Sequence, residues 1–118
     1  MIFGDYEKFK EKVDELMEKH KGEMGCYVSF TGFVRNYDIK EGKKVHTDKM
    51  EIPDILNILE DIRKDAIEKF DILDVVIYHN KGTLKVGDVV SSIYIFARHR
   101  KEGFLACEYI IDNIKKYH

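Results

Sequence analysis

The chain has 118 residues, which is the usual size of one domain and too few for two hydrophobic cores. Its formal net charge is -2 although 36% of its residues are charged, which excludes a field of one sign and with it a general affinity for nucleic acid or acidic membranes. It has no run of about 18 apolar residues to span a bilayer and no apolar signal peptide, so we expect one cytoplasmic domain over residues 1–118.

The two cysteines, Cys26 and Cys107, lie far apart in apolar segments and show no metal-ligand spacing. This pattern favours reduced, buried thiols over disulfides and predicts neither a metal site nor a bound cofactor. Lys, Glu and Ile are abundant while Gln and Trp are absent, which favours a thermophilic source. AT-rich coding would also enrich Lys and Ile.

The first predicted elements are a helix and a strand. After Asp5, a helix-capping residue type, apolar residues recur at helical spacing until Gly22, a stop signal. From 26 to 35 the text CYVSFTGFVR alternates, which predicts a strand with Arg35 on the face of Phe33 and Thr31.

The next segment is polar and glycine-containing, which predicts a turn that leads into a second strand near Val45 to Glu51. Pro53 at a first helical position is followed by apolar residues at helical spacing as far as Phe70. A second helix of about four turns is therefore expected.

The last part of the chain predicts three strands and a helix. The strands are the buried run ILDVVIYH, a short TLKV segment between glycines, and VVSSIYIFA ending at Ala97. An amphipathic helix follows from about Glu102 to Lys116. The order α-β-β-α-β-β-β-α predicts an α+β domain with helices packed on one mainly antiparallel sheet.

A cationic cluster, Arg98 to Lys101, falls between the last strand and the last helix. A helix N-terminus offers free backbone N–H groups and a positive dipole end, so phosphate or carboxylate is favoured there. An arginine such as Arg100 adds a two-pronged contact to such a group, and Arg35 is a second candidate. The alternative is that these are solvated strand-end residues, with His99 a turn histidine.

Two further residues have structural and functional interpretations. His79 ends an apolar strand without other ligands at metal spacing, so a structural role is favoured over a metal site. Glu51 stands between Met50 and Ile52 and is expected to be an exposed strand residue rather than a buried carboxylate.

Three segments together resemble the MoaE family, the large catalytic subunit of molybdopterin synthase: FTGFVRN at 30–36, HNKGTLKVGD at 79–88 and HRKEGFLACEYIIDNIKK at 99–116. The resemblance implies an α/β hammerhead-like fold and a homodimer. It also implies a small ubiquitin-like MoaD-type partner subunit, whose C-terminal Gly-Gly thiocarboxylate donates sulfur. The acceptor would be cyclic pyranopterin monophosphate (precursor Z), which receives two sulfur atoms to form the dithiolene of molybdopterin.

The resemblance also implies the site residues. Arg35, His99 and Arg100 match the family's Val-Arg and His-Arg positions and are expected to bind the substrate anions. The family typically continues beyond the lysine at 115 into a proline- and tryptophan-containing segment with a further catalytic lysine. This sequence ends in Lys115, Lys116, Tyr117 and His118, so Lys115 or Lys116 is expected to take the catalytic role.

Two alternatives stand beside a sulfur-transferring subunit. One is a non-catalytic member of the family that binds the small subunit or a phosphorylated pterin. The other is an unrelated α+β module whose His99-Arg100 corner recognises a nucleotide or phosphate.

Overall fold

The computed structural model describes residues 1–117, and residue 118 of the predicted domain lies outside this range. The helices are α1 (Tyr6–Lys19), α2 (Leu56–Lys69) and α3 (Arg100–Lys115). The strands are β1 (Ile2–Phe3), β2 (Cys26–Phe33), β3 (Tyr37–Lys40), β4 (Lys43–His46), β5 (Lys49–Ile52), β6 (Asp74–His79), β7 (Gly82–Lys85) and β8 (Val89–Ala97). Within residues 1–117, no helix combines the length and apolar character needed to cross a membrane.

A four-stranded sheet in the order β1-β6-β8-β2 forms the centre of the molecule. The short β1 runs parallel to β6, and the other neighbours are antiparallel. β2 is an edge strand whose pairing with β8 extends from Cys26 opposite Ala97 to Phe33 opposite Val89. The two ends of β2 are therefore about 23 Å apart, at about 3.3 Å per residue.

Helices cover both faces of this sheet. On one face α2 and α3 bury a cluster with residues of β6 and β8, among them Leu59, Ile77, Ile95 and Ile110. On the other face α1 packs Phe9 and its apolar neighbours against β6 and β8. The predicted α+β class is confirmed, with helices on two faces of the sheet.

Two small sheets, β3–β4 and β5–β7, extend from one end of the central sheet. A third apolar cluster joins Ile52 of β5 and Leu84 of β7 to Val34 and Val90. This cluster fixes the β5–β7 sheet beside the point where β2 ends and β8 begins.

Helix α3 runs back along the edge strand. A Cβ on Gly103 would lie 2.9 Å from Val28 Cγ2, so the glycine lets the first turn of the helix approach β2 closely. The C-terminal half of α3 consequently lies beside the Phe33 end of β2, and its first turn lies beside the Cys26 end.

The prediction of one strand near Val45 to Glu51 was wrong, because two strands share this stretch. β4 ends at His46 and forms a hairpin with β3, and β5 begins separately at Lys49. The hairpin turn places Glu41 and Gly42 at φ 52° and 76°. Two central residues with positive φ give the tight turn that matches the twist of paired strands, and glycine adopts this φ without strain.

Helices α2 and α3 each begin at a different residue from the one predicted. Pro53 precedes α2, which begins at Leu56, and the Asp54 carboxylate accepts a hydrogen bond from Leu56 N–H at 3.3 Å. α3 begins at Arg100 rather than Glu102, so Arg100 and Lys101 belong to its first turn. His99 is the N-cap residue of α3, with extended backbone and no side-chain capping bond.

A partly buried ion pair joins α2 to the central sheet. Arg63 donates to Asp74 Oδ1 at 2.9 Å and to Val75 O at 2.8 Å. Burial alone would raise the pKa of Asp74, but the hydrogen bond from Val75 N–H and the Arg63 guanidinium together lower it below the ordinary 3.8. The ionised carboxylate therefore stabilises the fold above this pH, and the contribution is lost as pH falls through the folded-state pKa.

We predict that Asp74→Asn lowers the free energy of unfolding by about 1–3 kcal/mol at pH 7, because it weakens a charged hydrogen bond. The difference from wild type should shrink as the pH falls from about 3.8 towards the lower pKa of the folded-state carboxylate, because the wild type loses this contribution as Asp74 is protonated. Urea denaturation at several pH values measures the loss of unfolding free energy and its dependence on pH. Asp65→Asn is the control, since Asp65 is exposed and forms no ion pair with residues 1–117. A difference that stays constant down to pH 2.5 would contradict this account.

Candidate active site

A cleft of about 420 Å³ opens between the end of β2, the C-terminal half of α3 and the hairpin and β5 segments. Its walls are largely apolar and include Phe30, Phe33, Met50 and Ile111. The charged residues that line it within 1–117 are three cations, Arg35, Lys49 and Lys115, and one carboxylate, Asp38. An apolar cleft with a few charged groups is typical of a small-molecule or peptide-tail site.

A β-bulge shapes the β2 wall of the cleft. The register of β2 against β8 shifts between Gly32 and Phe33, and Val34 N–H then bonds Asp88 O at 2.9 Å. All four residues from Gly32 to Arg35 line the cleft, whereas strict alternation would send every second one to the other face. Arg35 and Phe33 line the cleft together, in agreement with their predicted grouping, and Phe30 lines it as well.

The guanidinium of Arg35 lies over the ring of Tyr37, 5.0 Å from its centroid. Lys44 Nζ lies 4.5 Å from the same centroid. Tyr37 pairs with His46 across the hairpin, so Lys44 is a diagonal neighbour that reaches the ring. These contacts hold two cations beside the cleft without neutralising either one.

Of the two lysines expected to be catalytic, Lys115 lines the cleft and Lys116 does not. Lys115 is exposed in the last turn of α3, next to Ile111 and Ile114 of the cleft wall. The Lys116 ammonium instead donates to Asn113 Oδ1 at 3.3 Å. The geometry therefore favours Lys115 for chemistry in the cleft.

His99 and Arg100 are exposed at the opposite end of α3. The fifteen residue steps from Arg100 to Lys115 correspond to about 22 Å of helix. Arg35 is similarly distant from His99 and Arg100, because it follows the Phe33 end of β2 and they lie near the Cys26 end. One copy of the chain thus brings Arg35 and Lys115 together but leaves His99 and Arg100 outside the cleft.

Arg98, the first residue of the cationic cluster, has a structural role. Its guanidinium forms ion pairs with Glu23 Oε2 at 3.2 Å and Asp71 Oδ1 at 3.1 Å. These contacts join the loop before β2 to the loop after α2. Arg98 is therefore already paired, whereas His99 and Arg100 form no ion pair with a residue in the described part of the chain.

Other candidate groups lie outside the cleft. Burial raises the pKa of the Cys107 thiol, which disfavours the nucleophilic thiolate. His79 is buried, with Nδ1 2.7 Å from Asn80 O, in agreement with a structural role. Glu51 is exposed, as predicted, and accepts a hydrogen bond from Thr83 Oγ1 at 2.6 Å. Within residues 1–117 no group of three His, Cys, Asp or Glu side chains could hold a metal ion.

Sequence reasoning missed Tyr37 and Lys49. The two-residue spacing of Arg35 and Tyr37 could have shown that an extended chain puts both on one face. Lys49 had no comparable signal, because its place in the cleft depends on the packing of β5–β7 against the central sheet.

Comparisons with known proteins agree with this architecture. The family model described as MoaE protein matches residues 6–117. An uncharacterised protein of Methanocaldococcus jannaschii is 54% identical over 119 residues, an alignment that covers 100% of each chain.

Two further similarities are to proteins named for molybdopterin synthase. The catalytic subunit from Pyrococcus abyssi is 38% identical over 78% of this chain and 62% of its own length, so this chain spans less than two thirds of that relative. The crystal structure of the synthase from Staphylococcus aureus superposes with a TM-score of 0.68 at 30% identity, covering 80% of this chain and 69% of the other.

We predict that Tyr37→Leu loosens the hairpin and Tyr37→Phe does not, because a phenylalanine ring still offers a π-face to both cations. Loss of these contacts, at about 0.5–1 kcal/mol each, should speed local amide hydrogen exchange in 37–46 by about fivefold or more. Exchange monitored by NMR measures the effect. Equal acceleration in both variants would show that the hydroxyl, not the ring, holds the hairpin.

Proposed function

This chain belongs to the MoaE family, and we propose that it acts as the large subunit of a molybdopterin synthase. In this role it binds a ubiquitin-like small subunit of the MoaD type. The small subunit's thiocarboxylated tail donates sulfur to cyclic pyranopterin monophosphate, and two such transfers form the dithiolene. Sulfur comes from the partner, which agrees with the absence of any cysteine from the residues that line the cleft.

The observation that carries this proposal is the meeting of Arg35 and Lys115 at one apolar-walled cleft. They match the family's Val-Arg and helix-terminal lysine positions, and they reach the cleft from elements far apart in sequence. Both reactants are anionic, since the pterin carries a cyclic phosphate and the tail a thiocarboxylate. Cations set among apolar walls favour these anions more strongly than they would in open water.

The residues of the cleft have separate roles in this mechanism. Arg35 binds the phosphate, because a guanidinium contacts two oxygens of one group. Lys115 lies where the tail enters and acts as the acid or base of the transfer, while its charge stabilises negative charge that develops there. The apolar side chains hold the pterin ring and the extended tail and exclude water.

A second copy of the chain supplies His99 and Arg100 in this proposal. Within one copy these residues lie about 22 Å along α3 from Lys115. A homodimer that sets the first turn of one α3 against the cleft of its partner would complete the site. Support comes from the unpaired β2 edge, which carries exposed Tyr27 and Phe33 and gives a second copy a surface to pack on.

We predict that the chain, mixed with a thiocarboxylated small subunit and cyclic pyranopterin monophosphate, forms dithiolene. Lys115→Met should slow the reaction at least 100-fold, the usual contribution of acid–base catalysis. Lys116→Met is the matched control and should stay within about twofold of wild type, since the two lysines are adjacent but only Lys115 lines the cleft. Quantifying the dithiolene product measures the rate.

Other outcomes of this assay would exclude the proposal. Tight binding of the small subunit without turnover would identify a non-catalytic family member. Binding of nucleotides without binding of the small subunit would favour a phosphate-recognition module instead.

We further predict that Arg100→Ala weakens pterin binding by about 1.5–3 kcal/mol, as expected for a charged hydrogen bond, with the melting temperature nearly unchanged. Mixed dimers of the Arg100→Ala and Lys115→Met chains should recover activity, because one of their two clefts has both residues. At pterin concentrations too low to fill clefts that lack Arg100, a statistical mixture should regain about a quarter of the wild-type rate. If mixing restores nothing, Arg100 does not act across the dimer.

A further inference from the structure

Lys49 is a cation of the cleft that the family positions do not include. It comes from β5 and lines the same cleft as Arg35 and Lys115. Its side chain is exposed, and no residue in 1–117 forms an ion pair or side-chain hydrogen bond with its ammonium.

Lys49 has a residue of like charge as its cross-strand partner. Lys49 lies directly opposite Lys85 in the β5–β7 pair, and like charges in directly opposed positions destabilise a sheet. Two residues further along, Glu51 and Thr83 form the favourable cross-strand pair that such a position allows. The Lys49 ammonium therefore has no favourable cross-strand partner in its own sheet, which leaves its charge available to a ligand.

The backbone places Lys49 on the same side of the cleft as Arg35. Thr47 N–H donates to Asn36 O at 3.0 Å, which ties the residues just before β5 to the residue just after Arg35. Lys115 comes instead from α3, a different part of the chain. The cleft thus has two cations on linked neighbouring segments and one on a helix.

The charges in the cleft are unbalanced. Among the lining residues in 1–117, Asp38 is the only one with a carboxylate, and its Oδ1 already accepts a hydrogen bond from Ile39 N–H at 2.8 Å. Within one copy of the chain, three cations against one carboxylate favour a total ligand charge of about two negative units, before any cation of a second copy is added. A phosphodiester and a thiocarboxylate bound at the same time supply that charge.

We propose that Lys49 binds the cyclic phosphate of the pterin together with Arg35, and that Lys115 alone faces the anionic tail. This inference rests on the proposed function and adds the division of the cleft between its two anions. Arg35 supplies the two-pronged contact, and Lys49 supplies a point charge on its flexible side chain.

Lys49→Met tests the proposal, with Lys85→Met as a matched control. Both substitutions remove one charge from the same opposed pair, so both should leave the melting temperature unchanged or raise it slightly. Only Lys49→Met should raise the Kd for cyclic pyranopterin monophosphate, by about tenfold. Both variants should bind the small subunit within about twofold of wild type. Calorimetric titration with each ligand measures these affinities.

A double variant tests whether Arg35 and Lys49 hold one anion. Combining Arg35→Ala with Lys49→Met should weaken pterin binding by less than the two single losses combined, because contacts to one group are coupled. If the two losses of binding free energy add in full, Arg35 and Lys49 do not bind the same phosphate and the inference is overturned.

The remaining outcomes separate this inference from the proposed function. Unchanged pterin affinity in Lys49→Met, or an equal loss in Lys85→Met, would overturn the role of Lys49 while the synthase function stands. A loss of small-subunit binding in Lys49→Met would show that Lys49 contacts the tail instead of the phosphate, which would also overturn the inference. Failure of the wild-type chain to bind either ligand would overturn the proposed function and this inference with it.

Discussion

The pairing of β2 with β8 over eight positions is the constraint on which the rest of the site depends. It fixes the length of the edge strand and therefore the distance between the two ends of the sheet. Because α3 follows β8 and runs back along β2, Lys115 reaches the end of β2 where Arg35 lies. The same geometry leaves His99 and Arg100 at the other end. A site that uses all four residues must join two copies of the chain.

The cleft combines two physical properties that the proposed reaction needs. Its apolar walls surround three cations that form no ion pair with a carboxylate in residues 1–117. Cations in such surroundings attract an anion more strongly than they would in open water. Tyr37 holds Arg35 and Lys44 by their π-contacts, so their positive charge stays available. The stability of the fold resides elsewhere, in the apolar clusters on the two faces of the sheet and in the Arg63–Asp74 pair.

Sequence patterns predicted the elements whose periodicity is strong. α1 with its Asp5 cap, β8 and most of α3 follow from apolar spacing alone, because each buries one face or a whole strand. The hairpin between 37 and 46 escaped prediction because its strands are only four residues long and mostly exposed. Tyr37 and Ile39 alternate with charged residues in β3, but β4 (KKVH) has no matching apolar pattern. The β2 bulge and the place of Lys49 escaped because tertiary packing determines them. Arg35, His99 and Arg100 were expected to act together, and the distances along β2 and α3 separate them within one copy.

The central claim is that the tail of the small subunit enters the cleft beside Lys115. A photoreactive group on the C-terminal glycine of the small subunit tests it directly, with the crosslinked residues identified by mass spectrometry. The account predicts crosslinks to the cleft walls at Phe30, Ile111 and Lys115. Dimers of one isotope-labelled and one unlabelled copy show which copy each crosslinked residue belongs to. A tail that crosslinks to Lys115 of one copy should form its minor crosslinks near Arg100 of the other copy. Crosslinks confined to other surfaces of the chain would contradict the account.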